Sequence, residues 1–450
     1  MSIFDNRRLT NETFKLDAER MRIGWYSDKY FENIVGMLSG LAQQNYGFSG
    51  HSARLAAASI DPRGLDIGNL EVEMQWFTRR RPFSVIAGVD KTLAMLQLCT
   101  GYVEDGQFVN TYDQLEVEAV HDGVKAHYDG DPMNVQPVIK VRGRYRDFAL
   151  LETPTLGTLT RATRIASNVY NTLVAARGKP VLFFPARFDA HEVQAADGYA
   201  YNIAVQRFNH DYGREVGSFI STDAQGDWWG GLGGGTIAHA AIAAFLGDTV
   251  ECMLAFAETR PIEVPRIALV DFDNDCVGTS LAVMETMFAR YRELMDAGKE
   301  EEAQRYKLYG VRPDTSGTLR DISVPPIGAK KLDMGVTPRL VFFLRQALDE
   351  AWKRWTLSEE WLPKAQEWCR DINIVVTGGF NPHKIKRFER LGVPVDIYGV
   401  GSSLFSNSDE EQTNNDFTSD VVQVKIQGMW YDLSKIGRRP CDNPDLIRIQ

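Results

Sequence analysis

The chain has 450 residues, enough for two or three domains or for one large barrel with an accessory domain. Its net charge of −10 argues against nucleic-acid binding driven by phosphate contacts, and 44% hydrophobic with 24% charged residues is ordinary for a soluble globular protein. Five cysteines (Cys99, Cys252, Cys276, Cys369 and Cys441) stand singly with no CxxC pair, which gives no zinc framework and fits a reducing cytoplasm.

Residues 1–25 are polar and read as an arm. Their charge rules out a signal-peptide pattern, and no apolar run approaches the ~20 residues of a membrane helix. The expectation is a soluble cytoplasmic protein without a membrane partner. Phe31, Ile34, Val35 and Leu38 are spaced for a helix over 30–41. Between about 70 and 150, EVEMQWFTR, FSVIAG, GQFVNTYD and VQPVIKVRGRYRDF are strand-like and punctuated by Gly, Asp-Gly and Pro, which predicts an α+β or β-rich domain. The run Arg79-Arg80-Arg81 before Pro82 reads as a solvated strand end.

From Glu152 onward helices alternate with short apolar strands. Helices are expected from Glu152 to Arg177 and over 238–246, 281–306, 338–355 and 382–391. The strands PVLFFPAR, IALVDFD, YKLYGVRPD, INIVVTGG and VDIYGVGSS fall between them. Apolar strands in such alternation mean a buried parallel sheet. Their number, and the lack of a GxGxxG fingerprint, favour a closed (β/α) barrel. After a polar loop, VVQVKIQGMWYDLS reads as a hairpin returning to the N-terminal domain.

Within this half lies GLGGGTIAHAAIAAFLGD. Gly231, Gly233, Gly234 and Gly235 let backbone approach a ligand closely, Thr236 sits where an N-cap would stand, and His239 follows in the first helical turn. Taken alone, the stretch also reads as a close-packed helix with His239 a satisfied core side chain.

Catalytic groups of such barrels sit at the carboxyl ends of the strands. Those ends here are Phe184-Pro185-Ala186-Arg187, Asp271-Phe272-Asp273, Arg312-Pro313-Asp314, Thr377-Gly378-Gly379 and Gly399-Val400-Gly401-Ser402-Ser403. Glycines and hydroxyls suit one phosphate, forked arginines a second, pyrophosphate-like group, and carboxylates suit ribose hydroxyls or Mg²⁺.

In order along the chain, SDKY (27–30), FPAR (184–187), GTIAHA (235–240), LVDFD (269–273), VRPDTSG (311–317), VTGGF (376–380) and YGVGSSL (398–404) resemble the nicotinate phosphoribosyltransferases. Each motif is weak alone; the ordered set is specific and covers the chain from about residue 25. The SDKYFE start, RGRYRDFALLET and DTSGTLR are most similar to the archaeal-type members.

The resemblance implies a type II phosphoribosyltransferase fold of the α/β class. An irregular (β/α) barrel over 151–404 would carry the active site, and an N-terminal α/β sandwich domain over 1–150 would be joined by residues 405–450. It implies a homodimer with interfacial sites, and the joining of nicotinate to phosphoribosyl pyrophosphate (PRPP), which yields nicotinate mononucleotide and pyrophosphate. ATP hydrolysis would be coupled through a phosphorylated histidine, at the position of His239, with Mg²⁺ accompanying the phosphates and no dedicated metal-ligand residues.

On this resemblance Arg187 and Arg312 hold the pyrophosphate, and Asp314 and Asp271 the ribose hydroxyls or metal. The Thr236 turn leads into His239. Gly378, Gly379, Gly399, Gly401 and Ser402 hold the 5′-phosphate. Phe184 stacks on the pyridine ring, and Tyr30 of the partner subunit closes its other side.

Departures from the family are Pro185, Phe188, the Trp228-Trp229 pair (a lid, or a reshaped pocket) and Asp223. A carboxylate at Asp223 would suit an amide, so nicotinamide is the alternative base; Arg142 and Arg144 are candidates to counter it, and a solvated strand face explains them equally. A non-catalytic metabolite-binding protein on the same fold is the second alternative. IALVDFDNDCVGTSLAV superficially resembles a purine-salvage PRPP loop, but the order of its acids and Thr-Gly is wrong.

Overall fold

The computed structural model describes residues 2–450. The chain divides into two units. One takes the residues up to Tyr170 with Ala195–Tyr212 and Ser406–Gln450; the other takes Asn171–Gln194 and Gly213–Phe405.

The first unit is built on a six-stranded antiparallel sheet. Its order is Met429–Asp432, Phe417–Ile426, Glu71–Thr78, Ile139–Arg144, Glu116–Ala119 and Ile447–Arg448. The C-terminal hairpin thus lies beside the strand Glu71–Thr78, which is buried on both faces from Val72 onward. Helices Val89–Cys99 and Glu152–Ala175 supply Leu93, Leu96 and Leu159 to a core shared with Trp76, Val117 and Val141. Trp76 Nε1 donates to Thr155 Oγ1 at 3.2 Å, so the buried indole is satisfied.

A helix at Gln194–Tyr212 leaves little periodic trace in the sequence, because Asp197–Val205 are buried without interruption and no polar face alternates with an apolar one. Two of its charges are closed by partners: Asp197 by Arg161 at 2.8 Å and Asp211 by Lys125 at 2.6 Å. Arg142 and Arg144 are consumed by this unit's own carboxylates, Glu73 at 2.6 Å and Asp147 at 2.8 Å. They are not free to meet a substrate carboxylate. In the Arg79–Arg81 run, read as a solvated strand end, Arg81 is exposed but Arg80 is only 5% exposed.

The second unit is α/β. Its five parallel strands run in the order Val181–Phe183, Ile397–Val400, Asn373–Val376, Gly310–Arg312 and Ile267–Leu269. Single parallel bridges, Phe183 to Ile220 and Ile220 to Gly233, continue the array beyond its first edge. The strands are short because the chain leaves the sheet as soon as its apolar run ends, which sends polar residues out at one rim.

Helix boundaries move where capping overrides periodicity. Asp275 accepts from the Gly278 amide at 2.8 Å and starts the Cys276–Asp296 helix before its apolar stripe begins. Gly298, at φ +72°, then breaks it from Glu300–Gln304. Helices Thr249–Thr259 and Trp361–Arg370 complete the unit. Thr236 is not an N-cap: the helix is the six-residue His239–Ala244, capped by Ala238 without a side-chain bond. Among the described residues no helix is long and apolar enough to cross a membrane.

Candidate active site

The carboxyl ends of three adjacent parallel strands deliver Asp271, the Arg312–Asp314 turn and Thr377 to one place. Asp271, two residues beyond Ile267–Leu269, accepts from or shares a proton with His239, its Oδ1 lying 3.0 Å from Nε2. The Asp271 side chain is 8% exposed and that of His239 47%, so the pair has a buried acid and an open ring. Burial raises the Asp271 pKa and Asp314 adds repulsion, while His239 opposes both.

Arg312 lies beside this pair. Its Nη2 donates to the Ile237 carbonyl at 2.9 Å, which ties the glycine-rich stretch to the strand end. Nη1 stands 3.4 Å from Thr377 Oγ1 and 3.6 Å from Asp314 Oδ2. Thr377 Oγ1 donates to Asp314 Oδ1 at 2.7 Å and so fixes the carboxylate that faces the guanidinium. Burial lowers the Arg312 pKa; Asp314 and Asp271 push it back up, and the positive charge of Arg187 opposes them. The field at Arg312 therefore registers three other expected site residues.

The remaining predicted residues line the neighbouring strand ends. Phe184 donates its amide to Val400 O at 2.9 Å. A Cβ on Gly399 would lie 2.5 Å from Thr377 Cγ2 and 3.1 Å from the Phe184 ring; one on Gly401 would lie 2.7 Å from Phe188. Gly399 is needed for close packing against the buried Thr377, whereas the exposed Phe188 ring could give way at Gly401. Arg187 is exposed, with its guanidinium 5.5 Å from the Phe188 ring centroid. Gly378 and Gly379 have φ of +90° and +66°, which only glycine adopts without strain, and a Cβ on Gly378 would touch Asp314 at 3.4 Å. Ser402 is exposed at the start of the one-turn Ser402–Phe405 helix.

Tyr30 belongs to the other unit. It is 56% exposed, with its hydroxyl 3.2 Å from Asp28. Asp223 accepts from the Gly233 amide at 2.9 Å, so its carboxylate is engaged in the local turn. Trp229 donates from Nε1 to Gln225 O at 2.8 Å, with its ring over Gly231.

One residue escaped the sequence reading. Lys384, at the third position of the Pro382–Arg390 helix, reaches back to donate to Gly378 O at 3.0 Å, and its Nζ lies 4.0 Å from the Phe380 ring centroid. Burial, reinforced by Arg387, lowers its pKa to about 8 against the pull of Asp314. The signal was Asn381-Pro382, an N-cap followed by an N1 proline, which turns the first helical residues toward the preceding glycines.

With basic groups, two carboxylates and open glycine turns at one rim of a parallel sheet, the unit is equipped to orient phosphorylated sugars. Most of the chain is similar in fold to a solved pyrophosphorylase. That protein is the nicotinate-nucleotide pyrophosphorylase from Pyrococcus furiosus, 22% identical, with a TM-score of 0.60 over 94% of this chain and 80% of that one. Human nicotinic acid phosphoribosyltransferase also matches, at 16% identity and a TM-score of 0.49 over 79% of this chain and 71% of that one. So does the nicotinate-nucleotide pyrophosphorylase from Francisella tularensis, at 11% identity and 0.45 over 94% and 99%. No protein-family model and no curated protein sequence matches the chain.

Proposed function

We propose that the chain is a nicotinate phosphoribosyltransferase of the NAD-salvage kind, with the α/β half an irregular barrel and a homodimer as the working form. The observation that carries the reading is the convergence of His239, Asp271, Asp314 and Arg312 at adjacent strand ends, with Arg187 in the field at Arg312. The fold likeness to a nicotinate-nucleotide pyrophosphorylase supports it.

In the reaction the C1–O bond of PRPP breaks as the pyridine nitrogen of nicotinate bonds to C1, and pyrophosphate leaves with the bonding pair. Positive charge builds on the sugar and negative charge on the leaving group, so catalysis is positioning and preorganised charge. Arg187 and Arg312 hold the pyrophosphate. Asp314, oriented by Thr377, and Asp271 face the ribose. The Gly378-Gly379 turn, Lys384, Gly399, Gly401 and Ser402 surround the 5′-phosphate. Phe184 and the partner subunit's Tyr30 sandwich the ring.

Asp271 and Asp314 would contact a Mg²⁺ carried by the phosphates, and the ion would supply neutralisation of the leaving charge. For the ATP coupling, a proton held on Nε2 by Asp271 leaves Nδ1 of His239 with its lone pair. Nδ1 attacks the γ-phosphorus and ADP leaves.

The test is mononucleotide formation from nicotinate and from nicotinamide, each with and without ATP and Mg²⁺. Nicotinate mononucleotide formed faster with ATP supports the reading. A nicotinamide product, or none from either base, overturns it.

A further inference from the structure

The strand Glu71–Thr78 ends in three consecutive arginines that line one cavity of about 370 Å³ within the first unit, shared with Asp409, Asn414 and Asp416. Among the described residues no carboxylate comes within 4.0 Å of any of the three guanidiniums. Nε and Nη2 of Arg79 are buried and make no hydrogen bond. Arg80 is 5% exposed, and its Nη1 is held by Asn415 Oδ1 at 3.0 Å and Thr413 O at 3.5 Å. Arg81 is exposed, near the Tyr128 ring.

Burial and the neighbouring Arg438 disfavour the Arg79 charge, and Asp420 does little for it because Arg438 already holds that carboxylate at 2.6 Å. Buried donors without acceptors are costly, so the Arg79 N–H groups call for an acceptor.

We propose that the Arg79–Arg81 cavity is an oxyanion site that takes a phosphoryl group, as inorganic phosphate or as the phosphomonoester of a nucleotide. A phosphoryl group brings several acceptor oxygens in the geometry that forked guanidiniums match, and the orphaned Arg79 N–H groups receive them. The cavity falls within the usual size of small-molecule sites. Asp409 and Asp416 also line the cavity, neither within 4.0 Å of a guanidinium nitrogen.

The experiment is a calorimetric titration of the full chain at low salt with inorganic phosphate and, separately, with AMP. Wild type and Arg187→Gln bind phosphate at this site, whereas Arg79→Gln and Arg81→Gln lose affinity by about tenfold or more. Arg81 is exposed, so its variant keeps the fold if the Arg79 variant does not. AMP binding tighter than phosphate, and weakened in the same two variants, assigns a nucleotide phosphomonoester; AMP no tighter assigns the free ion. Phosphate binding unchanged in both arginine variants overturns the proposal. The titration reads binding alone, so it stands whether or not the chain forms a mononucleotide.

Discussion

His239 Nε2 lies 3.0 Å from Asp271 Oδ1, with the acid buried and the ring half open to solvent. A carboxylate so placed favours one tautomer of the ring it holds and leaves the far nitrogen with its lone pair. Incubation with ATP and Mg²⁺ followed by intact-mass measurement is expected to show one phosphoryl adduct, absent in His239→Ala. Asp271→Asn is expected to keep the fold and slow adduct formation by about 10²-fold or more, since an amide can hold the wrong tautomer. An adduct formed at the wild-type rate in Asp271→Asn would remove the orienting role.

Arg312 bridges Ile237 O, Thr377 and Asp314 from a half-buried position. Arg312→Ala is expected to lower PRPP turnover by about 10²–10³-fold, the scale of a lost preorganised donor. Far-UV circular dichroism should stay native, because the side chain stands at a strand end outside the sheet. Near-normal turnover would show that the pyrophosphate lies elsewhere.

The proton on Lys384 is held weakly. With its pKa lowered to about 8, the side chain is charged below that pH and neutral above it. The KM for PRPP is therefore expected to be flat below pH 8 and to rise as pH climbs through about 8. Lys384→Met should have a raised KM throughout and no such limb. A limb that persists in the variant assigns it to another group.

Gly399 has no room for a methyl group. The Cβ of Gly399→Ala would meet Thr377 Cγ2 at 2.5 Å, on a β-branched side chain whose hydroxyl positions Asp314. The substitution is expected to destabilise the chain by about 1–3 kcal/mol in denaturant melts and to lower turnover at the same time. Unchanged turnover would mean the Thr377–Asp314 contact tolerates the displacement.

Asp122 is a buried carboxyl group in the first unit. Its Oδ1 accepts from the Val89 amide at 2.9 Å, its Oδ2 is buried without a partner, and Asp90 nearby is already held by Arg8 at 2.7 Å. Burial, then Asp90, raises its pKa, so the folded chain retains a proton that the unfolded chain releases. The stability it contributes is fully present below its unfolded value near 3.8 and is lost as pH rises through the raised folded value. Asp122→Asn should flatten that decline, and at pH 8 it should exceed wild type by on the order of 1 kcal/mol. Equal Tm differences at pH 5 and pH 8 would refute the titration.

The amino-acid sequence alone determined the alternation of apolar strands and helices after Glu152, and which polar residues follow each strand. Both are local, because a strand buried on two faces must be continuously apolar and must shed its polar residues at its end. The sequence also carried His239, Arg187, Arg312, Asp314 and Asp271 as site candidates, because several strand ends and one helix start place polar groups in an order that resembles one family's.

What only the tertiary structure decided is which charges are already spent. Arg142 and Arg144 are closed by Glu73 and Asp147, while among the described residues no carboxylate comes within 4.0 Å of the Arg79–Arg81 guanidiniums. The Gln194–Tyr212 helix was silent for a related reason: a helix buried on every side has no amphipathic period to read. Partnership between residues distant in the chain follows from packing, and no local pattern encodes it.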